Sequence, residues 1–283
     1  MRGAASLAYL LARTSDTLAD TAPAPSDVRR DCLARFGLAI AGSGTAPRWP
    51  ASLMYAIRDP RERSLLEETG GLVSWLDRLP AGEARLVREV VGIIIGGQRM
   101  DLEQFAGAAR LRPVALADDV ALEDYTWRVA GCVGAFWTHL GLLTMGGRFS
   151  SAPAGLLLER GITYGKGLQL VNILRDLAAD LATGRCYLPV ADPRDAHQLV
   201  DAHRAWVERA WGWVGEGFDY ADTLPCRRLR AATVLPAMLA RKTLERLRGA
   251  TWEELQTRVK VPRVQVYLAL GRALAGSQSR NGS

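Results

Sequence analysis

Two short segments of this sequence place acids where they could do chemistry. One reads Arg13-Thr-Ser-Asp16-Thr-Leu-Ala-Asp20, the other Asn172-Ile-Leu-Arg175-Asp176-Leu-Ala-Ala-Asp180. On a helix, residues four apart lie on one face, one turn from each other. Each segment therefore presents a pair of carboxylates, with an arginine three residues before Asp16 and another directly before Asp176. Two like charges at this spacing repel by about 0.2–0.5 kcal/mol, and a cation between them reverses the sign. Hard oxygen ligands of this kind suit Mg²⁺, which keeps several waters and bridges one or two carboxylates to substrate phosphates. Two such faces pointing at each other across a helical bundle would hold a cluster of Mg²⁺ ions, grip a diphosphate and stabilise its departure. The arginines would neutralise the remaining phosphate charge.

An isolated acidic pair on a helix is ordinarily a solvated face; Asp118, Asp119 and Glu123 form one such surface turn. The second segment differs in its setting. Gln169, Asn172, Asp176 and Asp180 follow steps of three, four and four, while Leu168, Leu170, Val171, Ile173 and Leu174 surround the first two. This pattern predicts a buried polar stripe on an apolar helix, and buried polar groups need partners.

The elements that must carry these residues are helices. Helical patterns run over Leu7 to Ala19, Asp27 to Ile40 with Ser26 as the N-cap, Arg61 to Leu79, Glu83 to Gly96, Leu122 to Met145, Gly155 to Leu181, Asp195 to Tyr220, Cys226 to Arg248 and Val261 to Ala275, with a short one over Trp252 to Val259. Residues 41–50 read as a Gly/Pro loop. Strand alternation is confined to a few residues; the β-branched run Val90 to Ile95 is the best strand candidate, but its flanks have helical spacing. Glycines 131, 134, 141, 165 and 167 fall inside helical patterns, where each costs about 1 kcal/mol against alanine. They predict close helix contact or room for a ligand. The economical reading is one all-α domain over residues 1–275, a helical bundle around a central apolar cavity, with a frayed polar tail at 276–283.

Composition narrows the function. The chain has 283 residues, a formal charge of +6 and 48% hydrophobic residues, ample for a packed core. The apolar stretch Val129 to Met145 contains Thr138, His139 and several small residues, which favours a packed helix over a membrane span. The first dozen residues read as a helix rather than an export signal, because Arg13 and Asp16 follow at once. Cys32, Cys132, Cys186 and Cys226 show no CxxC spacing and read as reduced cytosolic thiols, and the three histidines make no zinc constellation with them. Only Lys166, Lys242 and Lys260 among the 36 basic residues are lysines. The basic excess fits anionic substrates or an anionic membrane surface at the periphery. No basic–aromatic run points to nucleic acid.

With these residues in view, the sequence resembles the squalene and phytoene synthases, the head-to-head trans-isoprenyl diphosphate synthases. Tyr9-Leu-Leu-Ala-Arg13 through Asp20 is similar to the family's first aspartate motif. Tyr125-Thr-Trp-Arg-Val-Ala-Gly-Cys-Val-Gly134 is similar to its central helix motif. Gly167 through Asp180, followed by Gly184-Arg185-Cys-Tyr187-Leu-Pro189, is similar to its second aspartate motif and tail. Met100-Asp101-Leu102 and Leu235-Pro236 are weaker echoes. The resemblance runs from about Tyr9 to beyond Pro236.

It implies an all-α isoprenoid-synthase fold. It also implies that Asp16, Asp20, Asp176 and Asp180 bind Mg²⁺ and diphosphate, supported by Asn172 as a ligand and by Gln169. Arg13, Arg175 and Arg185 would meet phosphate oxygens, Tyr9 and Tyr125 would lie near the ionising allylic centre, and Tyr187 would contact substrate. Trp137 and Phe136 are candidates for the prenyl tunnel, with core packing as the plainer role. The implied reaction joins two farnesyl diphosphates through presqualene diphosphate to squalene, with NADPH as hydride donor. The Arg-x-x-Asp-Thr-x-x-Asp form leans toward squalene synthases. No Rossmann glycine fingerprint is present, so NADPH would use another groove. The alternatives are a phytoene- or dehydrosqualene-type synthase, a prenyltransferase or cyclase with another acceptor such as an aromatic ring, or a non-catalytic member. The expected location is the cytoplasm, with peripheral membrane contact; the oligomeric state is left open.

Two departures stand out. Ala19 and Ala179 occupy places where relatives often have further acids, which predicts weaker Mg²⁺ affinity. Relatives also carry a helix with a Ser-x-Ser-Phe-type stretch ahead of the Tyr9 segment. The expectation here is a start assigned too late or a pocket closed in another way.

Overall fold

The computed structural model describes residues 1–21 and 23–256. The expected helix over Val261 to Ala275, the end of the Trp252 helix and the tail 276–283 lie outside the described residues. The chain divides into two compact units. The first is Met1–Ala106 with His139–Thr144; the second is Gly107–Thr138 and the chain from Met145 onward.

In the first unit, α1 (Arg2–Asp20) buries Ala4, Leu7, Leu11 and Leu18 at three- and four-residue steps and packs against α2 (Ser26–Ala41) and α6 (Ala81–Gln104). The run Val90 to Ile95 is helix, not strand. Val87, Val90, Val91, Ile94 and Ile95 are all buried on one side of α6, so packing overrides β-branched propensity. Ser26 is the first helical residue and makes no cap bond; Pro25 holds the N-cap position instead. At the other end, Gly42 takes the left-handed conformation (φ 78°), and its N–H meets carbonyls of the last turn. The expected helix Arg61 to Leu79 is two, α4 (Pro60–Glu67) and α5 (Thr69–Asp77), interrupted at Glu68. Thr69 Oγ1 and Trp49 Nε1 both donate to the Leu66 carbonyl at this break, at 2.7 and 2.9 Å. A short helix absent from the sequence reading, α3 (Ala51–Ala56), precedes them.

In the second unit, α7 (Asp119–Thr126) passes through a π-turn at Trp127–Gly131 into α8 (Cys132–Met145), of which His139–Thr144 count with the first unit. The long α9 (Ala154–Thr183) packs against that turn, α10 (Ala196–Asp222) and α11 (Arg227–Leu247). Glycine makes this packing possible. A Cβ at Gly134 would sit 1.8 Å from the Gly161 carbonyl oxygen, and one at Gly165 would sit 2.4 Å from that of Ala130. The two backbones touch. By length and composition alone Asp119–Arg148 would pass as a membrane span, but its 130–134 segment is packed on protein. The last helix among the described residues, α12 (Trp252–Leu255), starts with a capping box from Thr251 and Glu254.

Two tiny strands also lie among the described residues of the unit. β1 (Val114–Ala115) pairs in parallel with β2 (Arg185–Cys186). Between α9 and β2, Gly184 turns the chain at φ 89°, where a Cβ would lie 2.3 Å from the Ala109 nitrogen. The two strands and this glycine fix where Arg185 leaves the end of α9.

Candidate active site

The first carboxylate pair lies on α1 as its spacing requires. Asp16 is half-buried and Asp20 exposed. Both line a cavity of about 440 Å³ together with Arg13, Thr17 and Thr21. Its other wall comes from the α3–α4 junction: Ile57, Arg58, Asp59 and Glu62. Asp59 caps α4 through the Arg61 N–H at 2.8 Å, with Pro60 at the first helical position, and Arg63 donates to the Ile57 carbonyl at 2.8 Å. That wall is therefore tied down. Glu62 accepts an ion-paired hydrogen bond from Arg13 across the cavity.

The electrostatics of Asp16 are informative. Burial first, and the Asp20 charge second, push its carboxyl up to about 6, against the opposing pull of Arg13 and of Gln98. Gln98 Nε2 donates to Asp16 Oδ1 at 2.7 Å. A half-buried carboxylate beside a second one has less positive charge near it than its ionised form wants. This is the environment a divalent cation relieves. Among the described residues no group of three or more His, Cys, Asp or Glu side chains forms a complete metal cage. The donor set is instead a carboxylate pair, which suits an ion that keeps waters and shares phosphate oxygens. On that chemistry the residues fit Mg²⁺.

The second pair lies on α9. Asp176 accepts both Arg175 Nε (3.1 Å) and Nη2 (2.5 Å), so this arginine is held by its own neighbour. Gln169, Asp176 and Asp180 are half-buried, and Asn172 is exposed. The expectation of a buried polar stripe is thus corrected. Leu170, Val171, Leu174 and Leu177 are buried on other sides of α9; at about 100° per residue, the 169/172/176/180 stripe turns away from them, with the buried Ile173 at its edge. Tyr125, half-buried, stacks on the buried Tyr187 with ring centroids 4.8 Å apart and planes 24° from parallel. The central-helix motif and the tail of the second aspartate motif therefore meet. Arg185 is half-buried on β2. Tyr9 is 69% exposed and does not line the cavity beside Asp16.

A second cavity of about 440 Å³ lies within the second unit, with walls that are almost wholly apolar. Val133, Trp137, Tyr164, Leu168, Tyr220 and Pro236 are among its lining residues. Its two tyrosines spend their hydroxyls on protein: Tyr164 donates to the Thr233 carbonyl (2.9 Å), and Tyr220 shares a hydrogen bond with Thr138 Oγ1 (2.8 Å). What remains is a surface suited to an isoprenoid chain. Trp137 lines it, whereas Phe136 is buried in the core. Pro236, inside α11, is also part of the wall, so the weak Leu235-Pro236 echo falls on this cavity.

Sequence reasoning missed Arg58, Asp59, Glu62 and Gln98. Arg58 and Asp59 lie ahead of the Arg61 helical pattern, and Glu62, inside it, reads as an ordinary exposed acid. Gln98 had a readable signal: it continues the buried stripe of Val87, Val91 and Ile94 on α6 as the polar member.

The chain is similar to known proteins in sequence and in fold. The chain is 26% identical over 234 residues to the presqualene diphosphate synthase of Zymomonas mobilis, covering 72% of this chain and 74% of that one. It is 29% identical over 182 residues to the phytoene synthase of Thermus thermophilus, covering 59% and 58%. The fold matches the structure of TcSQS in complex with the ligand E5700 at a TM-score of 0.74, with 20% identity, over 96% of this chain and 78% of that one. Residues 1–265 match the family model described as squalene/phytoene synthase. The chain is all-α, and it belongs to the squalene/phytoene synthase family, enzymes that transfer prenyl groups from prenyl diphosphates by head-to-head condensation.

Proposed function

We propose that this enzyme condenses two farnesyl diphosphates through presqualene diphosphate to squalene, with Mg²⁺ as its metal and NADPH as reductant. The observation that carries the reading is the Asp16–Asp20 pair lining a cavity with Arg13 and Arg58. Carboxylates and guanidinium forks lining one cavity form a receptor for a metal-bound diphosphate.

In this reading Asp16, Asp20, Asp176 and Asp180 hold Mg²⁺, with Asn172 as a further ligand and Gln169 in support. The ion would supply charge stabilisation for a departing diphosphate. Arg13, Arg175 and Arg185 take phosphate oxygens. Arg13 exchanges Glu62, and Arg175 exchanges Asp176, for phosphate when substrate arrives. Tyr9, Tyr125 and Tyr187 serve the allylic end. The C1–O bond of one farnesyl diphosphate breaks, and the diphosphate leaves with the electron pair. The 2,3-double bond of the second molecule attacks C1, and loss of a proton closes the cyclopropane. The apolar cavity lined by Trp137 and Leu168 shelters the chain and its cation from water.

NADPH would provide the hydride that ends the second ionisation. The described residues include no glycine-rich turn from strand to helix of the dinucleotide-binding kind, so none is assigned to it. We also place the enzyme in the cytoplasm, with peripheral contact at an anionic membrane surface supported by its net charge of +6.

The test is product analysis with farnesyl and geranylgeranyl diphosphates, Mg²⁺, and NADPH present or absent. Presqualene diphosphate without NADPH and squalene with it are the expected products. Phytoene from geranylgeranyl diphosphate, as the name of the Thermus relative suggests, would move the enzyme to that branch. Absence of both presqualene diphosphate and squalene would overturn the reading.

A further inference from the structure

Gln98 is a polar residue where the pattern of α6 calls for an apolar one. It is 8% exposed, on the same buried side as Val91, Ile94 and Ile95. Its amide is only half used. Nε2 donates to Asp16 Oδ1 at 2.7 Å, while Oε1 is buried with no partner. A buried, unsatisfied carbonyl costs about 1–3 kcal/mol, and the isosteric methionine would avoid that cost. The contact with Asp16 is what the amide gains in exchange. Thr17 Oγ1, one residue further along α1 and on the wall of the same cavity, is also buried without a partner. The neighbourhood of Asp16 is therefore supplied with polar groups beyond what the protein itself satisfies.

One oxygen of Asp16 is thus fixed from behind by an amide on a different helix, 82 residues away. A carboxylate so held has one oxygen engaged by protein, and its side-chain rotation is restricted. Outer-shell donors of this kind fix the orientation of a metal-binding carboxylate, and their loss typically costs 10–100-fold in metal affinity.

We propose that Gln98 is a positioning residue, which orients Asp16 through the Nε2–Oδ1 hydrogen bond so that the carboxylate receives a divalent cation. The inference rests on the reading of Asp16 as a metal-binding group.

The experiment titrates Mn²⁺ alone into the full chain, following bound ion by electron paramagnetic resonance. It uses the wild type, Gln98→Met, Gln98→Asn and Asp16→Asn, each checked for helicity and melting temperature. Gln98→Met keeps the volume and removes both the donor and the orphaned carbonyl. Gln98→Asn keeps an amide but withdraws it by one methylene. The expected result is Mn²⁺ affinity about tenfold weaker in both Gln98 variants, with the helical fold retained. In turnover, the Mg²⁺ concentration for half-maximal rate rises by a similar factor while kcat at saturating Mg²⁺ stays within about threefold. A folded Gln98 variant that binds Mn²⁺ as tightly as wild type, when Asp16→Asn has lost binding, overturns the role of Gln98. Equal binding by wild type and Asp16→Asn overturns the reading of Asp16 itself.

Discussion

Asp16 carries a charge conflict that gives its surroundings a measurable sign. Its carboxyl is pushed up to about 6 in the folded chain, against an ordinary value of 3.8. The folded state therefore holds the proton more tightly than the unfolded one. The destabilisation is absent below the unfolded value, grows as pH rises from about 4 to about 6, and is full above that. Asp16→Asn, in the absence of divalent cations, should match wild-type stability at pH 4 and exceed it by about 1–3 kcal/mol at pH 8; thermal melts at the two pH values measure this. Mg²⁺ should raise the melting temperature of wild type and not that of the variant. Glu62 acts on the other side of the cavity, through Arg13. Glu62→Ala frees that guanidinium for phosphate, and the loss of a partly exposed competing pair, about 0.5–1 kcal/mol, should lower KM for the prenyl diphosphate two- to fivefold with a smaller change in kcat. Steady-state kinetics checks the split. The acids themselves were legible in the sequence, because helical spacing alone puts Asp16 with Asp20 and Asp176 with Asp180 on shared faces. The pairings of Gln98 and Glu62 were not, since their partners lie 82 and 49 residues away and local periodicity contains no such distance.

At the scale of elements, apolar periodicity was enough to find the long helices, and the errors have local causes. Glu68 breaks one pattern into α4 and α5 because Thr69 and Trp49 both bond the Leu66 carbonyl there. The π-turn at Trp127–Gly131 leaves the sequence looking helical throughout. Strands of two residues, such as Arg185–Cys186, are too short to show alternation. The glycines were read as close contacts or ligand space, and Gly134 and Gly165 are contacts of backbone on backbone. Gly134→Ala and Gly165→Ala should each destabilise by about 3 kcal/mol or more, since the added carbon meets a carbonyl that has no room to move. Gly92, on the exposed side of α6 with nothing within 4 Å of an added Cβ, gives the opposite sign. Gly92→Ala should stabilise by about 0.5–1 kcal/mol. Urea denaturation of the three variants tests the contrast.

Each of the two units contains a cavity of its own, one charged and one apolar. Asp16 and Asp20 share a cavity with two arginines in the first unit, and the second unit contains a cavity lined by Trp137, Tyr164, Leu168 and Tyr220. A prenyl diphosphate has the same two-part character, an anionic head on an apolar chain. The central claim is that each acidic helix turn, Asp16–Asp20 and Asp176–Asp180, is needed for turnover. Initial rates of farnesyl diphosphate consumption, at saturating Mg²⁺, for wild type, Asp16→Asn and Asp176→Asn test it most directly. The account predicts that each single variant loses about 100-fold or more in rate while its helical content is unchanged. Near-wild-type turnover by either folded variant would contradict it.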